Sequence, residues 1–521
     1  MNGVLDHLRR FLTRPNGVFL ALWIYVLAFA VLRLAGSPLI GTDDVQQALA
    51  AQSWAWGYEP RNPPLYTWLL MSAYSMFGVT QVAHVFIKYA LILAEFIFAY
   101  LCGRRLFRTA GYAELSALSL MLVHLVGISS HVVFTHTVAL GAALFMTWWA
   151  LLRVLQERRS IDYALLGLAC ALGLLSKYNF ILEIVPVFAV GLALRETRGA
   201  VLNWRMAITL AVGALVIAPH ALWLIEARYN FTEYLNKSAG VGAHAGYFVS
   251  VGSGLIDLVV TLLVELLPFW LLSVLVFRPS LAQRLGAVRA EHQLLLWSML
   301  LDLALVLIFL FAAGATDVKS RYLAPLILQV PLALFVWLEA HPATTRQLNI
   351  FAGAIAATVV LTYGGLIWQS FFYHEHCKRC WREMPVVQLA QQMREAGFTG
   401  GTIIANEWHL GGNLRLQFPD AAVLVPGFAE TSAPRARGQC ILTWDARLDG
   451  DAPPLNMVAM AQERLGIEPA GGPAYVHAPL LRSHHRLDSL AYWIVPNGDG
   501  NCHGIGPPLD ASTVSGEASA P

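Results

Sequence analysis

The sequence predicts a mainly α-helical, polytopic membrane protein with about eleven transmembrane helices and a small C-terminal α/β soluble domain. Of its 521 residues, 57% are hydrophobic and only 13% are charged, against roughly 25% charged residues in an ordinary soluble domain. The mean hydropathy is +0.56, and the apolar residues form blocks longer than a globular core needs. This composition excludes a soluble enzyme and a disordered or coiled-coil protein. With a net charge of +2 and no basic tract in the sequence, no nucleic-acid partner is expected.

The first apolar block follows Arg9, Arg10 and Arg14, as in a signal peptide, but no Ala-x-Ala cleavage site closes it. We therefore interpret it as a retained first span. Hydrophobic length predicts crossings at residues 18–34, 82–101, 115–128, 138–152, 163–175, 181–194, 207–224, 258–277, 294–313, 323–338 and 350–368.

The distribution of basic residues predicts the sidedness of the chain. With the N-terminus in the cytoplasm, every second loop on that side is arginine-rich, through Arg104/Arg105/Arg108, Arg153/Arg158/Arg159, Arg195/Arg198/Arg205, Arg278/Arg284/Arg289 and Arg346. The opposite loops hold few cations, namely Arg61, Lys177, Arg228, Lys237, Lys319 and Arg321, with Lys88 near a span end. An odd number of crossings then exports the C-terminal domain. Cations that this rule disfavours on the external face are expected to have a local anionic partner.

A change of composition after the last span predicts the domain boundaries. Residues 1–370 form the membrane domain, with a first external loop at 36–81. Residues 371–497 form the α/β domain, and the Gly-, Pro- and Ser-rich residues 498–521 are expected to be disordered. Periodicity predicts strands at 402–405, 422–425, 440–443 and 492–495 and helices at 386–396 and 457–465.

Four of the six cysteines lie in the exported part. Cys102 and Cys170 are in predicted spans and are expected to be packed side chains. In an oxidising compartment the other four are disulfide candidates, although the Cys-x-x-Cys pair among them is also compatible with a redox or half-metal site. These candidates are Cys377, Cys380, Cys440 and Cys502.

Two adjacent carboxylates, Asp43 and Asp44, follow the first span directly. One interpretation is structural: Thr42 or Asp43 caps a helix through residues 48–54, with Gln46 or Gln47 completing a capping box. The other is functional, because an acid near the cation Arg61 at the membrane face suits a base beside an anionic lipid headgroup. The following Pro63-Pro64 pair predicts a short amphipathic helix at 66–77 that lies on the membrane.

The order of several short motifs resembles the protein O-mannosyltransferase and aminoarabinose (lipid A) transferase branch of the GT-C superfamily of membrane glycosyltransferases. The resemblance covers roughly residues 40–335. It is carried by Asp43-Asp44, Asn62-Pro63-Pro64-Leu65, Phe77-Gly78, Gly103-Arg104-Arg105-Leu106-Phe107, Gly173-Leu174-Leu175-Ser176-Lys177-Tyr178 and Lys319-Ser320-Arg321-Tyr322-Leu323-Ala324-Pro325.

The resemblance implies a GT-C-like membrane domain that transfers a sugar from a polyprenyl-phosphate donor to a lipid, glycan or protein acceptor, with inversion. It also implies a bacterial-type inner membrane and a periplasmic active site. Asp43 takes the position of the acid that activates or orients the acceptor. Asp44 replaces the usual Glu, so it can steer a hydroxyl, bind Mg²⁺ or Mn²⁺, or do neither.

Positive charge is needed where the donor's phosphate leaves. The candidates are Arg61, Lys177 and Arg321, followed by Lys319, Lys88, Tyr178 and Tyr322. Each has a plainer interpretation, since external Lys and Arg can snorkel to headgroups and the tyrosines can belong to an interfacial aromatic belt. The chain departs from the family pattern at Arg61, where His or Asp is common, and at Thr135-His136-Thr137, where an acid or Asn is common.

Other functions remain open at this stage. A transporter or flippase of lipid-linked saccharides also needs cations near headgroups, but it usually has repeated halves and ionisable mid-span residues with partners. Here Glu95, Glu265 and Asp302 are scattered without matching partners in the sequence. A receptor-like anchor for the exported domain is a third possibility. The Gly- and Tyr-rich loop 226–254 is either a flap over a lipid-fed cavity or a passive connector.

Overall fold

A computed structural model describes residues 2–495 except 231, 233–235, 237–238, 243–245, 285, 287, 373–379, 429–437, 467–471 and 484. Its membrane part contains the α-helices α1 (Asn2–Leu12), α2 (Pro15–Gly36), α3 (Thr42–Ala50), α4 (Leu65–Phe77), α5 (Gln81–Leu106), α6 (Tyr112–Leu118), α7 (Ser130–Val132), α8 (His136–Glu157), α9 (Ser160–Ser176), α10 (Ile181–Ala193), α11 (Arg195–Val201), α12 (Met206–Glu226), α13 (Tyr247–Leu281), α14 (Ala290–Ala313), α15 (Ala324–Ala340) and α16 (Thr345–Phe371).

Seven of the described helices are long and apolar enough to cross a membrane, namely α2, α5, α8, α12, α13, α14 and α16. A bent pair, Tyr112–Leu122 with Leu125–Val132, has the same composition and turns by 67° at its break. The three remaining predicted crossings fall on shorter apolar helices, Ser160–Ser176, Tyr178–Ala193 and Ala324–Ala340. The prediction of a polytopic helical membrane domain is confirmed, and the count of eleven crossings stays a prediction.

Small residues allow the helices to approach closely. A Cβ added to Gly167 on α9 would lie only 2.3 Å from the backbone oxygen of Thr209 on α12. The Thr209 hydroxyl in turn donates to the backbone oxygen of Tyr163, at 2.8 Å. Small residues and hydroxyl bonds of this kind hold helices together in lipid, where the hydrophobic effect gives no drive for one helix to bind another.

The arginine-rich loops meet at one end of the bundle. Arg105, at the end of α5, pairs with Glu157 at the end of α8 (2.7 Å). The backbone N–H of Arg108 donates to Glu339 Oε1 at the end of α15 (2.9 Å). Lys177 lies at the opposite end of α8, where its Nζ donates to the hydroxyl of Thr137 at 2.9 Å. This grouping agrees with the predicted alternation of loops, whereas the side on which each end lies stays a prediction.

The C-terminal α/β domain contains a five-stranded sheet in the order β2-β1-β3-β5-β4. β1 runs parallel to β2 and β3, while β5 is antiparallel to β3 and β4. The elements are β1 (Gly401–Ala405), β2 (Ala422–Leu424), β3 (Gln439–Asp445), β4 (Ala474–Pro479), β5 (Leu487–Val495), α17 (Val386–Glu395), α18 (Trp408–Gln417), α19 (Ala446–Asp449) and α20 (Leu455–Leu465). All four predicted strands and both predicted helices are present, and β4, α18 and α19 are additional.

The α/β domain packs directly against the loop between α2 and α5. Leu39 and Leu49, which flank most of α3, belong to the same buried apolar cluster as Leu410, Leu414 and Ile403 of the domain. α3 packs mainly against α18. The domain is therefore joined to the membrane part by packing as well as by the chain connection.

Other predictions were wrong or fall outside the described residues. α13 begins at Tyr247, so residues 247–254 of the predicted external loop are helical. Glu265 has a partner, His124, whose Nδ1 lies 3.3 Å from its carboxylate. Cys380 and Cys440 each take part in a disulfide bond, as predicted for both. Cys377, Cys502 and the tail 498–521 lie outside the described residues.

Candidate active site

The two neighbouring acids lie in the first turn of α3, and neither caps it. The helix begins at Thr42, and its N-cap is the extended Gly41, with no side-chain hydrogen bond to the first turn. The predicted capping role of Thr42 or Asp43 is therefore wrong, and the helix ends at Ala50 instead of continuing to residue 54. Carboxylates here are favoured by the positive end of the helix dipole. Both acids remain available for other partners.

Asp44 is held in a closed ion pair. Its Oδ2 accepts a hydrogen bond from Lys88 Nζ on α5 at 3.0 Å, and both side chains are almost fully buried. His84, one turn earlier on α5, places Nδ1 3.8 Å from Oδ1. Burial alone would raise the pKa of Asp44, but Lys88, His84 and the more distant Arg33 outweigh it and lower the pKa well below 3.8. Asp44 is thus a permanent anion.

Asp43 has a different environment, although it is the preceding residue. It is half-buried, and burial raises its pKa as the largest effect, with a further rise from the adjacent Asp44. The charges of Lys88, Lys177 and Arg321 act in the opposite direction without cancelling the rise. A carboxylate whose pKa is raised takes a proton more readily than an ordinary Asp does.

Lys177 and Arg321 form one cationic group around the ring of Tyr322. Lys177 Nζ lies 5.9 Å from the ring centroid and Arg321 Cζ lies 5.4 Å from it. Nζ also donates to the hydroxyl of Thr137 at 2.9 Å. Asn179 Nδ2 donates to the backbone oxygens of Arg321 and Tyr322, at 3.3 and 3.0 Å. These bonds join the segment after α9 to the segment before α15.

Lys177 is poorly compensated for a buried ammonium. Its exposed fraction is 9%, and burial, followed by repulsion from Arg321, lowers its pKa to about 7, while Asp43 only partly opposes this. An anion placed between Lys177 and Arg321 would relieve both effects. The arrangement therefore suits a phosphate group.

A polar network fixes α3 against the membrane helices. Gln47, one turn after Asp43, accepts a hydrogen bond from Thr67 Oγ1 on α4 at 2.7 Å. Its amide nitrogen lies 2.8 Å from His136 Nε2 at the start of α8. The contact with the Gln47 amide requires His136 Nε2 to be the unprotonated acceptor.

The remaining candidates lie further from the acids. Arg61 pairs with Glu59, and its side chain is 47% exposed. Lys319 is exposed. The hydroxyl of Tyr178 lies 2.9 Å from His220 Nε2 on α12, with which its ring stacks. The structure thus brings Asp43, Lys177, Arg321 and Tyr322 together, whereas it joins Lys88 to Asp44.

The described residues around the acids do not fit a divalent-cation site. No group of three or more His, Cys, Asp and Glu side chains that could hold a metal occurs in the described ranges. Asp44 uses its Oδ2 on the ammonium of Lys88, so a cationic side chain already stands where a metal would be needed.

Sequence reasoning missed two cations, Arg33 and Arg382, and also His84 beside Asp44. Arg33 lies inside the predicted first span, and a charge at such a position is itself a signal of function. Its Nη2 donates to the backbone oxygen of Leu39 at 2.9 Å. Arg382 comes from the α/β domain and donates to the backbone oxygen of Val132 at 2.6 Å. Burial, then Arg33, lowers the pKa of Arg382 to about 9, with Asp44 opposing. Nothing in the local sequence marks Arg382, because it reaches the site only through tertiary packing.

The chain is similar to known glycosyltransferases in sequence and in fold. Residues 61–223 match the family described as dolichyl-phosphate-mannose-protein mannosyltransferase. The lipopolysaccharide core galacturonosyltransferase RgtA of Rhizobium johnstonii is 28% identical over 83% of this chain and 86% of its own length. RgtB of the same organism, which bears the same description, is 28% identical over 85% of this chain and 91% of its own length.

Among solved structures, ArnT from Cupriavidus metallidurans bound to undecaprenyl phosphate superimposes with a TM-score of 0.60 at 12% identity. The match covers 92% of this chain and 98% of that chain. At 12% identity the superposition is evidence for the fold alone. The relatives and the family match are evidence for the class of activity. Together they show an integral-membrane glycosyltransferase whose fold is similar to that of ArnT.

Proposed function

We propose that the chain transfers a sugar from a polyprenyl-phosphate carrier to a saccharide of an envelope glycolipid, at the external face of a bacterial inner membrane. The observation that carries the proposal is the site itself, in which the half-buried Asp43 lies within the electrostatic reach of Lys177 and Arg321. The similarities support the substrate classes. RgtA and RgtB are named for the lipopolysaccharide core and galacturonic acid, and the ArnT structure contains undecaprenyl phosphate.

The cationic group around Tyr322 binds the phosphate of the donor. As the bond between the anomeric carbon and the phosphate oxygen breaks, negative charge grows on that oxygen. Lys177 and Arg321 then stabilise the transition state more than the ground state, which is the condition for acceleration. Binding the phosphate also raises the pKa of Lys177 from about 7 and keeps it protonated during the reaction.

Asp43 serves the acceptor. Its carboxylate takes the proton of the acceptor hydroxyl while the hydroxyl oxygen attacks the anomeric carbon on the face opposite the phosphate. The new glycosidic bond forms as the old bond breaks, polyprenyl phosphate leaves, and the anomeric configuration inverts. Asp44 takes no proton in this scheme, because its pair with Lys88 keeps it ionised.

The test is transfer by the purified chain in liposomes. The donor is undecaprenyl-phosphate-linked galacturonic acid, the acceptor is lipopolysaccharide whose core lacks that sugar, and the product is measured by mass spectrometry. Asp43→Asn is expected to lower the rate by about 10²–10⁴, the range for loss of a general base. Asp451→Asn, which changes an exposed aspartate, is the matched control and should retain the wild-type rate.

Two outcomes would contradict the proposal. Transfer by Asp43→Asn at the wild-type rate would remove the assignment of the base. Movement of labelled carrier lipid across the bilayer without a new glycosidic bond would instead support a flippase. An acceptor other than a glycolipid would show as product on added glycan or protein, which the same mass analysis detects.

A further inference from the structure

We propose that the α/β domain positions the acidic helix α3 for catalysis, with Gln52 and Asn413 as the positioning residues. The inference rests on the proposed function for its link to catalysis. Its structural basis is independent of that function, because both ends of α3 are tied to the domain by paired hydrogen bonds.

Asn413 ties the entry to α3. It lies on α18, is 1% exposed, and its Oδ1 accepts the backbone N–H of Ile40 at 2.8 Å. Its Nδ2 donates to the backbone oxygens of Ile40 at 3.4 Å and of His409 at 2.8 Å. Ile40 lies two residues before Thr42, the first residue of the helix, so this amide fixes where α3 begins.

Gln52 connects the residues after α3 to the α/β domain. Here the membrane part supplies the side-chain amide and the domain supplies the backbone groups. This residue lies two positions after Ala50, and its side chain reaches the edge strand β2. Its Nε2 donates to the backbone oxygen of Val423 and its Oε1 accepts the backbone N–H of Val423, both at 2.9 Å. The amide therefore pairs with the free edge of the sheet as the peptide of a neighbouring strand would.

A close contact between α3 and α18 limits how near α3 can come to the domain. A Cβ added to Gly412 on α18 would lie 2.6 Å from the Cβ, 2.7 Å from the backbone oxygen and 2.8 Å from the Cα of Val45. Real Cβ atoms do not approach backbone atoms so closely. Glycine is therefore needed at this position, and α3 has no room to move toward the domain.

These contacts matter because α3 has only nine residues, and a helix this short is not stable or fixed by itself. The donor's cations lie on other elements, at the end of α9 and before α15, whereas the acids lie on α3. A displaced α3 would therefore move Asp43 relative to a donor that still binds normally. Displacements of about 1 Å can cost about 10²-fold in rate.

The experiment has a structural arm and a kinetic arm, both on the full-length protein. In the structural arm, hydrogen exchange of the α3 amides is compared in the wild type, Gln52→Ala and Asn413→Ala. We expect faster exchange at residues 42–50 and unchanged exchange in α9. In the kinetic arm, each variant is expected to lower kcat by about tenfold to a hundredfold, with the KM for the donor unchanged.

Three further variants separate positioning from a merely structural role. Asn413→Asp keeps the acceptor for the Ile40 N–H, but it places a carboxylate oxygen against the backbone oxygens of Ile40 and His409, so it should lower kcat as Asn413→Ala does. Gly412→Ala should lower kcat because it pushes α3 away, whereas Gly400→Ala in the same domain meets open space and should not. The acid limb of the kcat profile should shift in Gln52→Ala and Asn413→Ala, because a displaced α3 changes the burial of Asp43, which raises its pKa, and its approach to Lys177 and Arg321, which lower it.

Unchanged exchange at residues 42–50 in both alanine variants would overturn the proposal. So would a normal kcat, or a fall in kcat without a shift of the acid limb. If the wild type forms no product with any polyprenyl-phosphate sugar, the proposed function fails, and the exchange arm still decides whether the domain positions α3.

Discussion

Asp43 and Asp44 are consecutive residues on one short helix, yet they belong to two different regions of the site. Asp44 lies in a closed, buried cluster with Lys88 and His84. Asp43 is half-buried and lies near the cations of two other segments, Lys177 and Arg321. Adjacent helix positions point about 100° apart, which is enough to separate two environments.

The difference shows how one acidic pair can supply two functions. Ion pairing lowers the pKa of Asp44 and burial raises the pKa of Asp43. Titratable groups whose environments move their pKa values apart commonly divide catalytic and supporting roles between them. In the proposed mechanism, Asp44 supports the site as a fixed counter-charge and Asp43 is the base.

The strongest test of the closed region is Asp44→Asn, which leaves the Lys88 ammonium buried without its counter-charge. We expect the free energy of unfolding to fall by about 3–5 kcal/mol, as when one partner of a buried pair is removed. The pKa of Asp44 is lowered below its ordinary value of 3.8. The wild type therefore keeps this contribution at neutral pH and loses it only as the pH falls below that ordinary value. Thermal unfolding in detergent measures the change.

The matched control for this variant is the double substitution Asp44→Asn/Lys88→Met. Removing both charges should restore much of the lost stability, because no unpaired ion remains. If Asp44→Asn alone is as stable as the wild type, the closed cluster does not stabilise the fold, and the contrast between the two acids is lost.

A smaller effect is expected on the open side, from Lys177→Arg. With a pKa of about 7, the free enzyme loses the Lys177 charge as the pH rises through neutrality. The kcat/KM for the donor should then fall, by up to about tenfold per pH unit. Arginine stays protonated throughout this range, so the alkaline limb should be absent from the variant.

The measurement is kcat/KM for the donor from about pH 6 to about pH 9. Lys319→Arg, at an exposed lysine, is the matched control and should keep the alkaline limb. An alkaline limb that persists in Lys177→Arg would assign the titration to another group and weaken the role of Lys177 as a phosphate ligand.

Much of this architecture could be predicted because it depends on long-range averages of the sequence. Hydrophobic length located the helices of the membrane domain, and strand periodicity located four of the five strands. β4 was missed, since only Val476 and Ala478 of its six residues are buried and it ends in Pro479. α18 was missed because Gly411 and Gly412 lower its helix propensity, although the close approach of Val45 needs the second glycine.

The parts of the site that escaped prediction depend on where helices begin and how they pack. Two consecutive aspartates indicated a candidate site, but the different environments of Asp43 and Asp44 depend on where α3 begins, at Thr42. Lys88 was expected to bind phosphate, whereas the fold brings it to Asp44, 44 residues earlier in the chain. The hydrogen bonds between Gln52 and Val423 join residues that are 371 positions apart in the sequence. No local sequence pattern predicts such a contact.

The smallest effect is expected at Tyr66, which lies near both acids and so sharpens the contrast between them. Its side chain is fully buried, and its hydroxyl has no hydrogen-bond partner among the described residues. Burial, then the charges of Asp44 and Asp43, raises its pKa well above 10, so it remains a neutral phenol. Tyr66→Phe removes an unsatisfied polar group, which should raise the free energy of unfolding by up to about 1 kcal/mol. Transfer should stay at the wild-type rate, since Asp43 receives its cations from Lys177 and Arg321. Thermal unfolding measures the change in stability, and the transfer assay measures the rate. A higher KM for the acceptor in Tyr66→Phe would mean that this hydroxyl contacts the acceptor. The open region would then extend past Asp43 to α4.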